Sequence, residues 1–208
     1  MDRWIWLIAG PNGAGKSTFA GDYLNDLRAE YPSVQWAAEP VNLVADERTA
    51  ALRVRHPETG QAYLNLRAAR EIDAEVAHQI CAGISFSVET VLSSPKYRPD
   101  VMTARSMGFG IGLIYVSLHP PELSPQRVAL RVRKGGHAVD PERAVERYYR
   151  SHEQLSWFAA NADFLIVFDN SDEEPVVLAS REPGQPLRQF NRGVNVAVDR
   201  ALDNLATE

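Results

Sequence analysis

The chain has 208 residues, 45% hydrophobic and 24% charged, which suits one folded α/β domain with its own core. Its net charge of −5 excludes a surface that as a whole attracts nucleic acid or an anionic membrane. Cys81 is the single cysteine, which excludes an internal disulfide framework and points to a reducing compartment, the cytoplasm.

Trp4-Ile-Trp-Leu-Ile-Ala9 is a continuous apolar run bounded by glycine, the pattern of a buried strand. It is too short to span a bilayer and lacks the flanks of a signal peptide. The glycine loop after it opens a helix from Lys16 to about Arg28. Tyr31-Pro-Ser breaks the chain, Val34 to Ala38 reads as a weak second strand, and Pro40 to Leu43 is ambiguous. A helix starts near Asp46, where an acid suits the first turn.

After the loop His56–Gly60 comes a helix over about Ala62–Ala82, with Ala69, Ile72, Val76 and Ile80 as one apolar stripe and Gly83 as its stop. Ser85–Val91 reads as the third strand, Pro99–Met107 as a helix and Gly110–Leu118 as a central strand. Helices follow near Ser124–Lys134 and Pro141–Ala160, parted by Gly135-Gly136, then a buried strand Phe164–Phe168 ending at Asp169. Val176–Ala179 reads as an edge strand and Glu182–Pro186 as a turn; Val194, Ala197, Ala201 and Leu205 mark a last docking helix. Strands alternating with helices predict a mainly parallel central sheet with helices on both faces. One domain over 1–208 accounts for all of it, with a basic helical lid at about 124–150 and a tail at about 181–208.

Gly10, Pro11, Asn12, Gly13, Ala14, Gly15, Lys16, Ser17 and Thr18 match the Walker A pattern, with a strand before and a helix after. Its glycines let backbone N–H groups turn inward as an anion nest, and the helix N-terminus adds partial positive charge. Lys16 is expected to reach the β/γ-phosphates of ATP, and the Ser17 hydroxyl to ligate Mg²⁺. The expected fold is therefore a three-layer P-loop NTPase.

The chain lacks the Asn-Lys-x-Asp of GTPases and the Leu-Ser-Gly-Gly signature of transporter ATPases. A small kinase fits what remains. Asp46 is the candidate base for an acceptor hydroxyl, with Glu47 as a weaker substitute; plain helix N-capping is the alternative for Asp46. Glu89 and Thr90 end a strand at the edge where α/β ligands bind, and Ser93 and Ser94 extend it; loop capping is the alternative there. Arg131 and Arg147 flank Gly135-Gly136-His137 and could close over a triphosphate, backed by Arg127 and Arg133; a solvated basic helix face explains them equally. His152 lies in register with Val145, Tyr148, Leu155 and Ala159 and reads as a packing residue. Cys81, Trp157 and Phe158 read as structural.

Taken in order, the phosphate loop, Ala45-Asp-Glu47, Phe86-Ser-Val-Glu-Thr-Val-Leu-Ser93, Arg131-Val-x-x-Gly-Gly-His137, Arg147-Tyr148 and Asp169-Asn-Ser171 form a pattern. With it the chain resembles the zeta-toxin-like P-loop kinases, whose members phosphorylate UDP-N-acetylglucosamine. The resemblance implies Asp46 as base, Lys16 as phosphate lysine, Glu89, Thr90 and Ser93 as the acceptor segment, and Arg131 and Arg147 as phosphate-binding arginines. It implies ATP and Mg²⁺ as cofactors, a UDP-sugar hydroxyl as acceptor and an inhibitory antitoxin protein as partner. The other readings are a kinase for a different sugar, nucleoside or antibiotic, and a nucleotide-gated module that acts through a protein partner.

Overall fold

The computed structural model describes residues 2–22, 24–32, 34, 41–136, 138–203 and 205. Seven strands form one sheet in the order β2-β3-β1-β4-β5-β6-β7. They are β1 (Trp4–Ala9), β2 (Val41–Leu43), β3 (Phe86–Thr90), β4 (Gly110–Ser117), β5 (Phe164–Asp169), β6 (Val176–Arg181) and β7 (Arg188–Gln189). The first five run parallel, and β6 and β7 add on antiparallel.

Alternation along the strands fills both sides of the sheet. Ile5, Leu7, Leu113, Tyr115, Leu165 and Val167 point to one core, which is closed by α4 (Gln61–Ala82), α5 (Arg98–Ser106), α7 (Pro141–Asn161) and α8 (Val196–Asp203). Trp4, Trp6, Ile114, Val116, Phe164 and Ile166 point to the other, against Phe19 of α1 (Lys16–Asp22), Leu27 of α2 (Leu24–Glu30) and Tyr148 of α7. The two indoles stack with centroids 5.3 Å apart. Room for them comes from β4, where Gly110 and Gly112 are the register partners of Trp4 and Trp6. A Cβ on Gly112 would stand 2.3 Å from the Trp6 ring.

The remaining helices, α3 (Ala45–Arg55) and α6 (Leu123–Arg133), lie next to β2 and β4 in the chain, and a 3₁₀ turn covers Pro95–Tyr97. α3 packs on α4 through a small separate cluster of Leu52, Leu64 and Ala68. α4 ends at Gly83 in the left-handed conformation, as its sequence predicts. Its buried stripe is Leu64, Ala68, Ile72, Val76, Gln79 and Ile80, so Ala68 rather than Ala69 is the inward alanine.

Other expectations shift. The weak strand at Val34–Ala38 falls, beyond Val34, outside the described residues, as does His137; the strand beside β3 is β2, in the segment that reads as ambiguous. The helix expected over Lys16–Arg28 appears as α1 and α2, on either side of an undescribed residue 23. β6 is not an edge, because β7 pairs beyond it. The last helix buries Val198, Ala201 and Leu202 while Val194 is exposed. Asn195 caps it through an Oδ1 that accepts the Val198 N–H at 3.2 Å, which moves its start and its apolar face. Cys81 is exposed rather than packed.

Candidate functional site

β1 sits where the crossovers diverge, toward β3 and β2 on one side and toward β4 and β5 on the other. Carboxyl ends at such a switch point leave a crevice, and residues 10–15 turn there between β1 and α1. Gly10 has φ +139°, and a Cβ on it would stand 1.9 Å from the Val116 carbonyl oxygen, so no other residue fits.

Lys16 is the first residue of α1 and is 7% exposed. Its Nζ donates to the Gly10 and Pro11 carbonyls at 3.0 and 3.1 Å. Burial lowers its pKa below the ordinary amine value; Glu89 opposes that, Arg131 adds to it and Asp46 opposes it. A buried ammonium resting on neutral carbonyls fits a site for a strong anion. The Oδ1 of Asn12 is buried without a hydrogen-bond partner in the same wall. Next to them the Ser17 hydroxyl donates to Glu89 Oε2 at 2.8 Å. A hydroxyl beside a carboxylate is a hard-oxygen pair of the kind that serves Mg²⁺ when phosphates complete the shell. Among the described residues no group of three or more His, Cys, Asp or Glu could hold a metal.

A cleft of about 480 Å³ opens from the phosphate loop, lined on that side by Asn12, Gly13 and Lys16. Asp46 lines the same cleft from the first turn of α3, with a side chain 61% exposed. Val44 rather than Asp46 holds the N-cap position of α3, and no side chain bonds the cap there. Instead the Asp46 carboxylate pairs with Arg131 at 3.4 Å, from the last turn of α6. Arg147 lines the same cleft from α7, together with Arg143. Glu89, Thr90 and Ser93 line it from the end of β3. Between them Leu92 is buried at φ +56°, and its N–H bonds Thr90 Oγ1 at 3.1 Å. A buried aliphatic residue held left-handed is a strained turn, and it sets the direction in which Ser93 leaves the strand.

So Lys16, Asp46, Glu89, Thr90, Ser93, Arg131 and Arg147 share one cleft. Some expectations separate from it. Thr18 is exposed, and Glu47 does not line the cleft. Arg133 is exposed, and Arg127 is taken up by the carbonyls of Asn170 and Ser171. His152 is a packing residue: 5% exposed, it hydrogen-bonds the Tyr148 carbonyl and Ser117 Oγ, both at 2.8 Å. Phe158 is core, and Trp157 packs against that core. Asn65, Lys96, Tyr97, Asp140 and Arg143 also line the cleft and were not singled out by spacing. They come from α4, the 3₁₀ turn after β3 and the start of α7, segments that only the tertiary fold brings together. A second cleft of about 560 Å³, between α7 and α8, holds none of the phosphate-loop residues.

A family model described as zeta toxin matches residues 3–182. An uncharacterized protein of Haemophilus influenzae is 27% identical over 148 residues, 71% of this chain and 94% of that protein. Among solved structures, AvrRxo1-ORF1:-ORF2 with ATP aligns at a TM-score of 0.71 and 15% identity, over 97% of this chain. The chain spans 64% of that structure's chain. A chain from the PezAT chromosomal toxin-antitoxin system of Streptococcus pneumoniae aligns at a TM-score of 0.55 and 16% identity, over 84% of this chain and 72% of that one. At these identities the likeness is one of fold.

Proposed function

Because this chain belongs to the zeta toxin family of P-loop kinases, we propose that it transfers the γ-phosphoryl group of ATP to a hydroxyl of a small molecule, a UDP-sugar being the leading acceptor. The observation that carries this reading is one cleft lined both by the buried Lys16 ammonium and by a carboxylate, Asp46, that does not hold the N-cap of its helix.

In this reading the backbone of residues 10–16 and the Lys16 ammonium hold the β- and γ-phosphates. Ser17 and Glu89 are the residues that would hold Mg²⁺, and when bound the ion draws charge from the phosphate oxygens. The hydrogen bond between Ser17 and Glu89 supports reading Glu89 at the metal end, with Thr90 and Ser93 left for the acceptor. Asp46 accepts the proton of the acceptor hydroxyl, whose oxygen bonds to the γ-phosphorus as the bond to the β,γ-bridging oxygen breaks and ADP leaves. Arg131 and Arg147, from the helices α6 and α7, neutralise charge on the group in flight. We read residues 1–208 as one kinase domain with those helices as its lid.

The test is labelled ATP and Mg²⁺ over a panel of UDP-sugars, nucleosides and aminoglycosides. One class of acceptor should gain phosphate. Lys16→Ala should remove most of that activity, and Asp46→Asn should cut turnover by about 10²-fold or more while ATP binding holds. An Asp46→Asn enzyme running at the wild-type rate would refute the base. Inorganic phosphate alone in every well would favour a nucleotide-gated module instead. That second reading draws on the AvrRxo1-ORF1:-ORF2 structure and the PezAT toxin-antitoxin system, both of them pairs of proteins. They also support an inhibitory protein as a partner of the kinase.

A further inference from the structure

Asn195 lies between β7 and α8, beyond the residues the family model matches, and yet it is 0% exposed. Its Nδ2 donates to Asp169 Oδ2 at 2.7 Å, to Ser117 Oγ at 2.9 Å and to the Leu118 carbonyl at 3.3 Å. The Asp169 carboxylate is itself 4% exposed and takes the Ser171 N–H on its other oxygen at 3.0 Å.

The turn that Asp169 opens touches the nucleotide end of the cleft at several points. Asn170 Nδ2 donates to the Ala14 carbonyl of the phosphate loop at 2.8 Å. Arg127 of α6 donates to the Asn170 carbonyl and, at 2.6 Å, to the Ser171 carbonyl. Ser171 Oγ receives the His119 N–H at 2.6 Å. The turn therefore sets the spacing between the phosphate loop and the helix that carries Arg131, and Asn195 braces it from behind.

We propose that Asn195 is a positioning residue for ATP, acting through Asp169 on the turn 169–171. A buried carboxylate needs its donors. Without the amide, Asp169 turns toward other donors or water and carries Asn170 and the Ala14 peptide with it. The proposal rests on the kinase reading above. A plain capping role for Asn195 would need only its Oδ1, and the two can be separated. Asn195→Asp keeps a cap acceptor, but removes the donor and sets a second carboxylate against the first.

The measurement is calorimetric titration with ATP and Mg²⁺, well below the melting temperature of each variant. Asn195→Asp should bind about tenfold more weakly than the wild type, as a small misplacement of phosphate ligands costs at least that much. The exchange Asp169→Asn with Asn195→Asp restores the hydrogen bond in the opposite direction and should return affinity to within about threefold. Wild-type affinity in Asn195→Asp, or an exchange variant that binds no better than it, would overturn the proposal. If Asn195→Asp fails to fold, the exchange variant decides alone: wild-type affinity supports the brace, and a tenfold loss in a folded exchange variant refutes it. A wild-type protein that takes up no ATP defeats the kinase reading and this proposal together, and it shows without any variant.

Discussion

The side chains of the cleft are set by burial as much as by charge. Lys16 is buried, so its amine is held below its ordinary range and answers strongly to an incoming phosphate. His152 shows the same physics away from the chemistry. Burial holds its pKa at about 4; the Tyr148 carbonyl and Asp169 push upward, and His119 pushes down. The unfolded chain takes that proton near its ordinary ~6.5. Between those values the unfolded state binds the extra proton, so stability is whole above about pH 6.5 and falls as the pH drops toward 4. By pH 5 the loss is about 2 kcal/mol. Urea titrations at about pH 7.5 and about pH 5 should show that difference, and His152→Gln should shrink it. An undiminished pH dependence in the variant would place its source elsewhere.

At the scale of elements, α6 ends just before Gly135-Gly136 and α7 begins at Pro141, and Arg131, Arg143 and Arg147 of the two helices line the cleft. The contact of Arg131 with Asp46 joins α6 to α3 at 3.4 Å. The pair is exposed, so its own worth to stability is about 1 kcal/mol or less. In the proposed reaction its use is geometric: the guanidinium stands beside the candidate base, where the transferring phosphoryl group would sit. Arg131→Ala should therefore leave the melting temperature nearly unchanged and lower turnover by about 10²-fold. ATP affinity should move far less than turnover. Steady-state rates beside a thermal melt check this, and equal losses in affinity and turnover would mean that Arg131 only binds ground-state ATP.

For the molecule as a whole, the described residues after 182 are part of the fold. Val198 and Leu202 are 0% and 1% exposed in the core shared with α7, and Ser156 Oγ donates to the Ala201 carbonyl at 2.7 Å. Two aliphatic side chains buried to that degree contribute about 3–6 kcal/mol. A chain cut after Glu182 should thus melt about 10 °C or more below the full chain, or lose its cooperative transition. Differential scanning calorimetry decides this, and an unchanged melt would make α8 an appendage.

Much of this was legible in residue order because its causes are local. A continuous apolar run followed by Gly10 to Thr18 specifies strand, anion nest and helix within a few neighbours, and the period of α4 with its glycine stop needs no distant contact. Asp46, Arg131 and Arg147 could be proposed from spacing and resemblance, yet spacing equally allowed a cap and a solvated face. What residue order could not show is that the packed chain sets Arg131 3.4 Å from Asp46 and puts Arg147 in the same cleft. The bond from Ser17 to Glu89, the strained turn at Leu92 and the brace from Asn195 to Asp169 join residues far apart along the chain or answer to tertiary strain. Such contacts follow from how the sheet orders its strands, and strand order is a property of burial over the entire chain, not of any window along it.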